Sequence, residues 1–280
     1  MNAGFEPMTT QNRHYLFIVS LYDNNSLIVF NFVLYLKITI QILSNSLMKG
    51  ANNTNYIPNL SYDCVIFGFN GKSLKILILE YHNTGFFALP GGFIRKNQSL
   101  KEAVQQGVKE RTGLTNVYLD QFQVFGEVDR ADSYAMSRIL DGSNKNTPEN
   151  QWMMDRFLTV GHYALINYEE VDPKPDHLSD SIGWYAIDDV PKLMMDHNEI
   201  VDKALEVLRN NISEKLIGLN LLPQKFTMKQ LQQVFEAILD QKLRRTSFQR
   251  KMLSLDILER HEKLFEGKAH KAPYLYSFKQ

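Results

Sequence analysis

The sequence predicts an α/β domain followed by a smaller helical domain that ends in a β-hairpin. Two observations predict this order: apolar, β-prone runs alternate with amphipathic helices as far as Asn211, and two short helices and a strand pair follow Pro223. The chain has 280 residues, and its hydrophobic content of 44% is ample for packed cores. We therefore divide it into a leader over 1–47, an α/β domain over 48–215 and a C-terminal domain over 216–280.

Five β-prone runs make up the expected sheet of the α/β domain. The first two are joined by Asn70-Gly71-Lys72-Ser73, and an Asn-Gly pair between two apolar runs is typical of a β-hairpin. The runs cover Tyr62–Phe69, Leu74–Tyr81, Val117–Val128, Phe157–Tyr168 and Ile182–Ile187. An amphipathic helix over Val201–Asn211 closes the domain.

A helix over Leu100–Thr112, between the second and third strands, is specified at both of its ends. Ser99 is followed three residues later by Glu102, which is the pattern of a capping box. Gly113 lies where helices commonly end in a left-handed residue. The sequence therefore predicts a loop, a helix and a second loop in this segment.

The segment from Gly91 to Leu114 reads GGFIRKNQSLKEAVQQGVKERTGL and frames this helix. It resembles the Nudix box, G-x5-E-x7-R-E-U-x-E-E-x-G-U, in which U is aliphatic. When the Thr-Gly-Leu end is aligned, Val108 takes the aliphatic position. The other positions of this degenerate box are Gly92, Gln98, Gln106, Gly107, Glu110 and Arg111. Of the four glutamates in the pattern, Glu110 alone is present.

The missing glutamates bear on catalysis, because the resemblance implies a diphosphate-cleaving reaction that uses Mg²⁺ held by those side chains. Mg²⁺ requires hard oxygen ligands, and Arg111 places a positive charge in their midst. We therefore expect no catalytic residues, no metal, no cofactor and no enzyme activity. Glu102, Glu127 and Asp129 could substitute as ligands, so a Mg²⁺-dependent hydrolase of ADP-ribose or a related nucleotide sugar is the alternative.

An insertion lies between Arg130 and Met154, with the polar sequence DGSNKNTPENQ at its centre. It is too hydrophilic for a strand and long for an ordinary connection. The segment is therefore either a lid over a pocket or disordered decoration, and its composition favours decoration.

Charge is divided unevenly along the chain, although its formal net charge is zero. From Leu221 to Gln280 there are 12 Lys and Arg against 6 Asp and Glu, whereas the whole chain carries 31 of each kind. An acidic body with a basic C-terminal domain indicates a polyanionic partner for that domain. The single cysteine, Cys64, lies in an apolar strand, which fits a reducing cytoplasm and excludes an intrachain disulfide framework.

The N-terminal leader contains an apolar run over Leu27–Leu43. The run is at the short limit for a membrane span, and Lys37 near its middle makes insertion costly. We therefore expect no membrane partner, with a membrane anchor as the alternative. Met48 starts a polar segment, and we expect translation to begin there or the leader to be disordered.

The C-terminal domain has the outline of a winged helix-turn-helix. Thr227 is the expected N-cap of its first helix, whose buried face has a spacing of three and four residues: Leu231, Val234, Phe235 and Ile238. A second helix is expected over about Ser247–Leu255. Strands over Ile257–Lys263 and Tyr274–Phe278 then pair as the wing.

Basic and polar side chains cluster at the start of the second helix, the part that enters the major groove in such domains. The expected contacts to double-stranded DNA are Arg244, Arg245, Thr246, Ser247, Gln249, Arg250 and Lys251 on the helix, with Lys268 and Lys271 on the wing. A solvated helix face is the structural alternative, because most charged runs are only that. Their place in a basic winged domain favours DNA binding.

A degenerate Nudix domain followed by a winged helix is similar to the Nudix-related transcriptional regulators, above all their sugar-responsive branch typified by the arabinose-responsive regulator. The most similar stretches are CVIFGFN, GGFIRKNQSLKEAV, TGLTNVYLDQFQVFGEVDR and IGLNLLPQKFTMKQLQQVFEAI. The resemblance implies an α/β/α sandwich that binds a small effector, which we expect to be a sugar or a sugar-nucleotide. It also implies a homodimer that binds a palindromic operator. Phe93, Asp129 and Arg130 are our candidates for contacts to the effector.

Three functions remain open from the sequence. A ligand-responsive DNA-binding regulator leads, a Nudix hydrolase is second, and a non-catalytic module whose basic domain contacts protein is third. DNA affinity that falls steeply with salt separates the first from the third.

Overall fold

A mixed β-sheet forms the centre of the larger domain in this computed structural model, which describes residues 33–39, 55–215, 221–264 and 272–279. The sheet contains seven strands within these ranges, in the order β3-β2-β1-β6-β5, with β4 also paired to β1 and β7 to β2. Their bounds are β1 Tyr56–Phe69, β2 Leu74–Tyr81, β3 Phe87–Ala88, β4 Gly91–Arg95, β5 Tyr118–Phe125, β6 Leu158–Ile166 and β7 Ser179–Ala186. Strand β1 runs parallel to β6 and antiparallel to β2 and β4.

Helices cover both faces of this sheet, because both faces of β1 are apolar. Tyr62, Cys64 and Ile66 point to one face and pack with helix α1, Leu100–Thr112. Val65 and Phe67 point to the other face and share a core with helix α3, His197–Lys215. The arrangement confirms the α/β/α sandwich expected from the sequence.

Most of the predicted elements are confirmed, with shifted ends. Helix α1 has the predicted bounds, and its capping box is formed by Ser99 and Glu102, while Gly113 ends it with a φ of 77°. Strand β1 begins six residues earlier than predicted, at Tyr56, because its polar first part pairs with β4 and β6. The closing helix α3 extends beyond its predicted range at both ends.

The insertion after Arg130 is ordered, so the expectation of disordered decoration was wrong. It forms helix α2, Ser133–Gly142, and a 3₁₀ helix over Pro148–Met154. Asp132 caps α2 by accepting a hydrogen bond from the Ala135 N–H at 2.8 Å. Ala135 and Ile139 lie on one face of α2 and pack with Ala88 of β3 and Met194 of the segment before α3, and Leu140 of α2 is also buried. The polar sequence at the centre of the insertion led to the expectation of disorder, although the residues before it form an apolar helix face.

The C-terminal domain is a winged helix, as predicted. Its elements are β8 Phe226–Thr227, α4 Met228–Leu239, α5 Arg245–Ser254, β9 Leu258–Lys263 and β10 Tyr274–Phe278, with strand order β8-β10-β9. Thr227 caps α4 through a second capping box with Gln230. The apolar face of α4 belongs to the same continuous core as α3 and the sheet, so the two domains are packed against each other.

The leader belongs to a separate compact unit, Met1–Asn52, of which residues 33–39 form a short helix. No helix among the described residues is long and apolar enough to cross a membrane. The rest of the Leu27–Leu43 run, Met48, and the wing residues Lys268 and Lys271 lie outside the described residues.

Candidate functional sites

A cavity of about 740 Å³ opens beside helix α1. All of the degenerate box positions line it: Gly92, Gln98, Gln106, Gly107, Glu110 and Arg111. Its other walls come from β1, from β4, from the insertion and from the segments that precede β7 and α3. The box therefore still faces a space large enough for an organic ligand, although most of its carboxylates are gone.

Arg111 fastens three segments together at this cavity. Its Nη2 donates to Asp176 Oδ2 at 2.6 Å and to the Gly91 carbonyl at 3.1 Å, and its Nη1 donates to the Gly107 carbonyl at 3.3 Å. Arg111 is buried, and the ion pair with Asp176 is shielded from water. The positive charge in the place of a catalytic glutamate is thus balanced by a carboxylate from the segment before β7.

The packing of Tyr62 explains why a glycine occupies position 107, and the sequence alone did not reveal this. A Cβ at this position would overlap the hydroxyl of Tyr62, which projects from β1 against the helix. The same hydroxyl would lie 2.8 Å from a Cβ at Gly92. Burial raises the pKa of Tyr62 well above its usual range, so this hydroxyl stays protonated. A tyrosine thus fills the space beside the box position where the pattern has a glutamate.

The carboxylates near the cavity are placed for hydrogen bonds and ion pairs. Glu110 accepts a hydrogen bond from Gln106 Nε2 at 2.7 Å. Glu102 is exposed, and hydrogen bonds from the backbone and side chain of Ser99 lower its pKa below its usual range. Glu127 and Asp129 are exposed and do not line the cavity. Within the described ranges no group of three His, Cys, Asp or Glu could hold a metal ion.

Arg130, a predicted effector contact, lies in a buried polar cluster at the cavity wall. Its Nε and Nη2 donate to the two carboxylate oxygens of Asp196 at 2.8 and 3.0 Å, and Nη1 donates to the Phe157 carbonyl at 2.9 Å. Asp63 Oδ2 lies 3.6 Å from Nη2, and His197 Nε2 lies 3.7 Å from the other oxygen of Asp63. Sequence reasoning missed these partners, yet an aspartate inside the apolar run of β1 was a signal for a buried polar site.

Phe93, another predicted effector contact, lines the cavity and belongs to an aromatic cluster. Its ring centroid lies 4.6 Å from that of Trp152, 5.2 Å from that of Phe157 and 6.0 Å from that of Tyr56. Trp152 belongs to the insertion and stacks on Tyr56 at 5.5 Å. The insertion thus contributes to the pocket wall, a place closer to the lid than to the decoration that the sequence favoured.

Helix α5 presents the predicted DNA contacts to solvent. Arg245 lies in its first turn, two residues earlier than the helix was expected to begin. The exposed members of the predicted set are Arg244, Arg245, Thr246, Ser247, Arg250 and Lys251, and Gln249 is half-buried. On the opposite face, Phe248 and Met252 are buried, and Phe248 packs edge-on against Phe235 of α4 at 5.2 Å. Because the apolar face of α5 is packed against α4, its basic face is directed to solvent.

Comparison with known proteins agrees with this architecture. Residues 218–278 match the NrtR DNA-binding winged helix domain. The crystal structure of Shewanella oneidensis NrtR superimposes with a TM-score of 0.61 at 26% identity, covering 79% of this chain and 94% of that one. A MutT/nudix family protein from Enterococcus faecalis gives a TM-score of 0.58 at 21% identity, covering 80% and 87%. The chain is a Nudix fold joined to a winged helix.

A curated relative of this Nudix and winged-helix chain is the ADPR responsive transcriptional repressor NtrR of Acinetobacter baylyi. The two are 27% identical over 209 residues, which cover 72% of this chain and 75% of the relative. An ADP-ribose pyrophosphatase of Methanocaldococcus jannaschii is 32% identical over 90 residues, which cover 31% of this chain and 53% of that enzyme. The similarity found is thus to NrtR proteins, and the arabinose-responsive branch is not shown.

Proposed function

We propose that the chain is a DNA-binding transcriptional regulator that responds to ADP-ribose. The observation that carries the proposal is one continuous core that joins a Nudix-type cavity to a winged helix with an exposed basic helix α5. The Acinetobacter relative is named for both properties, a response to ADP-ribose and transcriptional repression. The proposed effector is thus a sugar-nucleotide, one of the two classes expected from the sequence, rather than a free sugar.

The chemistry of the cavity supports a ligand with a base and a diphosphate. The aromatic cluster around Phe93 offers faces and edges for a purine ring, since aromatic pairs gain from stacked and edge-on contacts. Arg130 offers a planar fork of donors suited to phosphate. Gln98 and Gln106 line the cavity and can hydrogen-bond ribose hydroxyls. Asp129, which is exposed, is left out of the proposed site.

We assign DNA recognition to α5. Exposed arginines at the start of a recognition helix can bind guanine edges bidentately in the major groove, and lysines neutralise phosphates. We further propose a homodimer on a palindromic operator, because two winged helices related by a two-fold axis match two half-sites at a fixed spacing. Lys268 and Lys271 would then contact the backbone from the wing.

Hydrolysis of ADP-ribose is the second candidate, and Glu110 is the observation that favours it. Glu110 is the glutamate of the box pattern that this chain keeps. It lies on helix α1 and lines the cavity. Against it stand Arg111, whose guanidinium takes a neighbouring glutamate position, and Tyr62, which fills the space beside Gly107. Mg²⁺ is usually held by one or two carboxylates together with substrate phosphates, so Glu110 alone is the minimum set of protein ligands for such a metal.

The decisive experiment is fluorescence anisotropy with labelled duplexes tiled across the region upstream of the protein's own gene, with and without ADP-ribose. We expect specific binding that weakens steeply between 50 and about 200 mM salt and that changes when ADP-ribose is present. Arabinose serves as the matched control ligand. Binding at the non-specific level for every duplex would exclude the regulator, and Mg²⁺-dependent cleavage of ADP-ribose into AMP and ribose 5-phosphate, followed by chromatography, would establish the hydrolase instead.

A further inference from the structure

The start of helix α3 is tied to the cavity wall by two consecutive residues. Asp196 precedes the helix, and its carbonyl accepts a backbone hydrogen bond from Ile200 at 3.0 Å, while its carboxylate holds Arg130. His197 is the first residue of α3, and its Nδ1 accepts a hydrogen bond from the Leu89 N–H at 3.0 Å. Both Arg130 and His197 line the cavity. Any change at this wall therefore acts directly on the start of α3.

Helix α3 also reaches the winged helix. Its 19 residues span about 28 Å, and its inner face is fully buried along the length: Ile200, Ala204, Leu208 and Ile212. Past its middle, Arg209 Nε donates to the Ile238 carbonyl at 2.8 Å. Ile238 lies in the last turn of α4, where carbonyls lack partners within the helix and attract a cation. Arg209 therefore fastens α3 to the C-terminus of α4.

Helix α4 in turn fixes the recognition helix. The turn between α4 and α5 is held by Glu236 Oε1, which accepts from the Leu243 N–H at 2.8 Å, and by Gln232 Nε2, which donates to the Leu243 carbonyl at 3.0 Å. The edge-on contact of Phe235 with Phe248 completes this attachment. A contiguous series of polar and packed contacts thus leads from the cavity to α5.

We propose that the Arg130–Asp196 pair is a latch which an anionic ligand opens, and that Arg209 transmits the resulting shift of α3 to the winged helix. This inference rests on the proposed function and names its route of regulation. Asp196 occupies two donor groups of Arg130, so a phosphate group that binds them competes with Asp196. The ligand prefers the open state for that reason, and only such a preference lets it shift an equilibrium.

The test separates ligand binding from its effect on DNA. In Arg209→Met the connection to α4 is removed, while the cavity and the exposed face of α5 are unchanged. Lys203→Met is the matched control, because it also removes a cation from α3, and Lys203 Nζ pairs with Glu206 of the same helix at 2.8 Å. Calorimetry gives the dissociation constant for ADP-ribose, and anisotropy gives the ratio of DNA dissociation constants with and without it.

We expect a ratio that differs from one by about fivefold or more in the wild type and in Lys203→Met, a common size for allosteric coupling. In Arg209→Met the ratio approaches one while ADP-ribose still binds, which a general loss of folding would not produce. A wild-type ratio retained in Arg209→Met overturns this inference and leaves the proposed function standing. A ratio of one in the wild type overturns both.

Asp196→Asn tests the latch itself, and here the affinity for ADP-ribose is expected to change as well as the DNA ratio. Loss of the competing carboxylate frees Arg130, so ADP-ribose binds more tightly than to the wild type and the DNA ratio falls towards one. Unchanged or weaker ADP-ribose binding in a folded Asp196→Asn protein overturns the latch.

Discussion

Replacement of Gly107 by alanine tests whether Tyr62 has taken the space of a catalytic side chain. Gly107 lies inside helix α1, where alanine is intrinsically favoured over glycine by about 1 kcal/mol. Its new Cβ would overlap the Tyr62 hydroxyl, in a part of the core where both residues are buried. Overfilling a packed core costs about 1–3 kcal/mol. We therefore expect Gly107→Ala to lower the free energy of unfolding by up to about 2 kcal/mol.

A double-mutant cycle isolates the contact. In the Tyr62→Phe background the hydroxyl is gone, and the nearest ring atom, Cζ, lies 3.1 Å from the new Cβ, so the relief is large but incomplete. The cycle should give a coupling energy of about 1–2 kcal/mol, within the range for residues in contact. Gln105→Ala, at an exposed position of the same helix, is the control and should change stability by less than about 0.5 kcal/mol.

Urea unfolding followed by circular dichroism measures these energies, and an unchanged slope shows that the denatured state is not altered. A Gly107→Ala protein that is as stable as the wild type in both backgrounds would refute the steric argument. The absence of a glutamate at this position would then have no packing explanation. A destabilised protein with additive effects would instead point to helix distortion away from Tyr62.

Three further predictions follow from the described contacts. Arg245→Ala should weaken DNA binding. If Arg245 contacts phosphate, the slope of log affinity against log salt concentration should also decrease in magnitude by about one. An unchanged slope with relaxed sequence preference would instead indicate that Arg245 contacts a base. Burial lowers the pKa of His162 below its usual range. The unfolded chain therefore binds a proton that the folded chain does not, and stability falls as the pH drops below about 6.5. His162→Gln should flatten that fall in urea titrations at pH 5 and 7. Ser99→Ala removes the cap of α1 and should cost about 1 kcal/mol of unfolding free energy, against no loss from the exposed Ser254→Ala.

Local signals predicted the fold well where they were strong. The capping boxes at Ser99 and Thr227 fixed the starts of α1 and α4, because satisfying the first N–H groups of a helix is a local requirement. For the insertion, local composition predicted disorder and was wrong, and the reason is physical. Its polar residues pair among themselves, as Asn146 does with Asp141 at 2.7 Å, and this pairing lets a hydrophilic stretch fold beside the apolar face of α2.

The sequence identified single residues of the site by their type and position, but it did not identify which residues contact each other. The box frame identified Arg111 and Gly107 as unusual, but their partners Asp176 and Tyr62 are 65 and 45 residues distant in sequence. Such pairs arise from the topology of the sheet, which places β1 against α1 and the segment before β7 against the cavity. Arg130 was singled out for its place after a long strand, and its ion pair with Asp196 needed the structure.

The arginines in this cavity differ from a metal ion in a way that bears on regulation. A metal ion is not covalently attached to the chain, whereas a guanidinium is, and a buried guanidinium needs a permanent counter-charge. Here each counter-charge belongs to a different segment: Asp176 to the approach to β7 and Asp196 to the start of α3. An anion that competes for either arginine must loosen one of these segments. If the proposed function holds, the two arginine–carboxylate pairs couple the binding of a diphosphate to the position of the approach to β7 and of the start of α3.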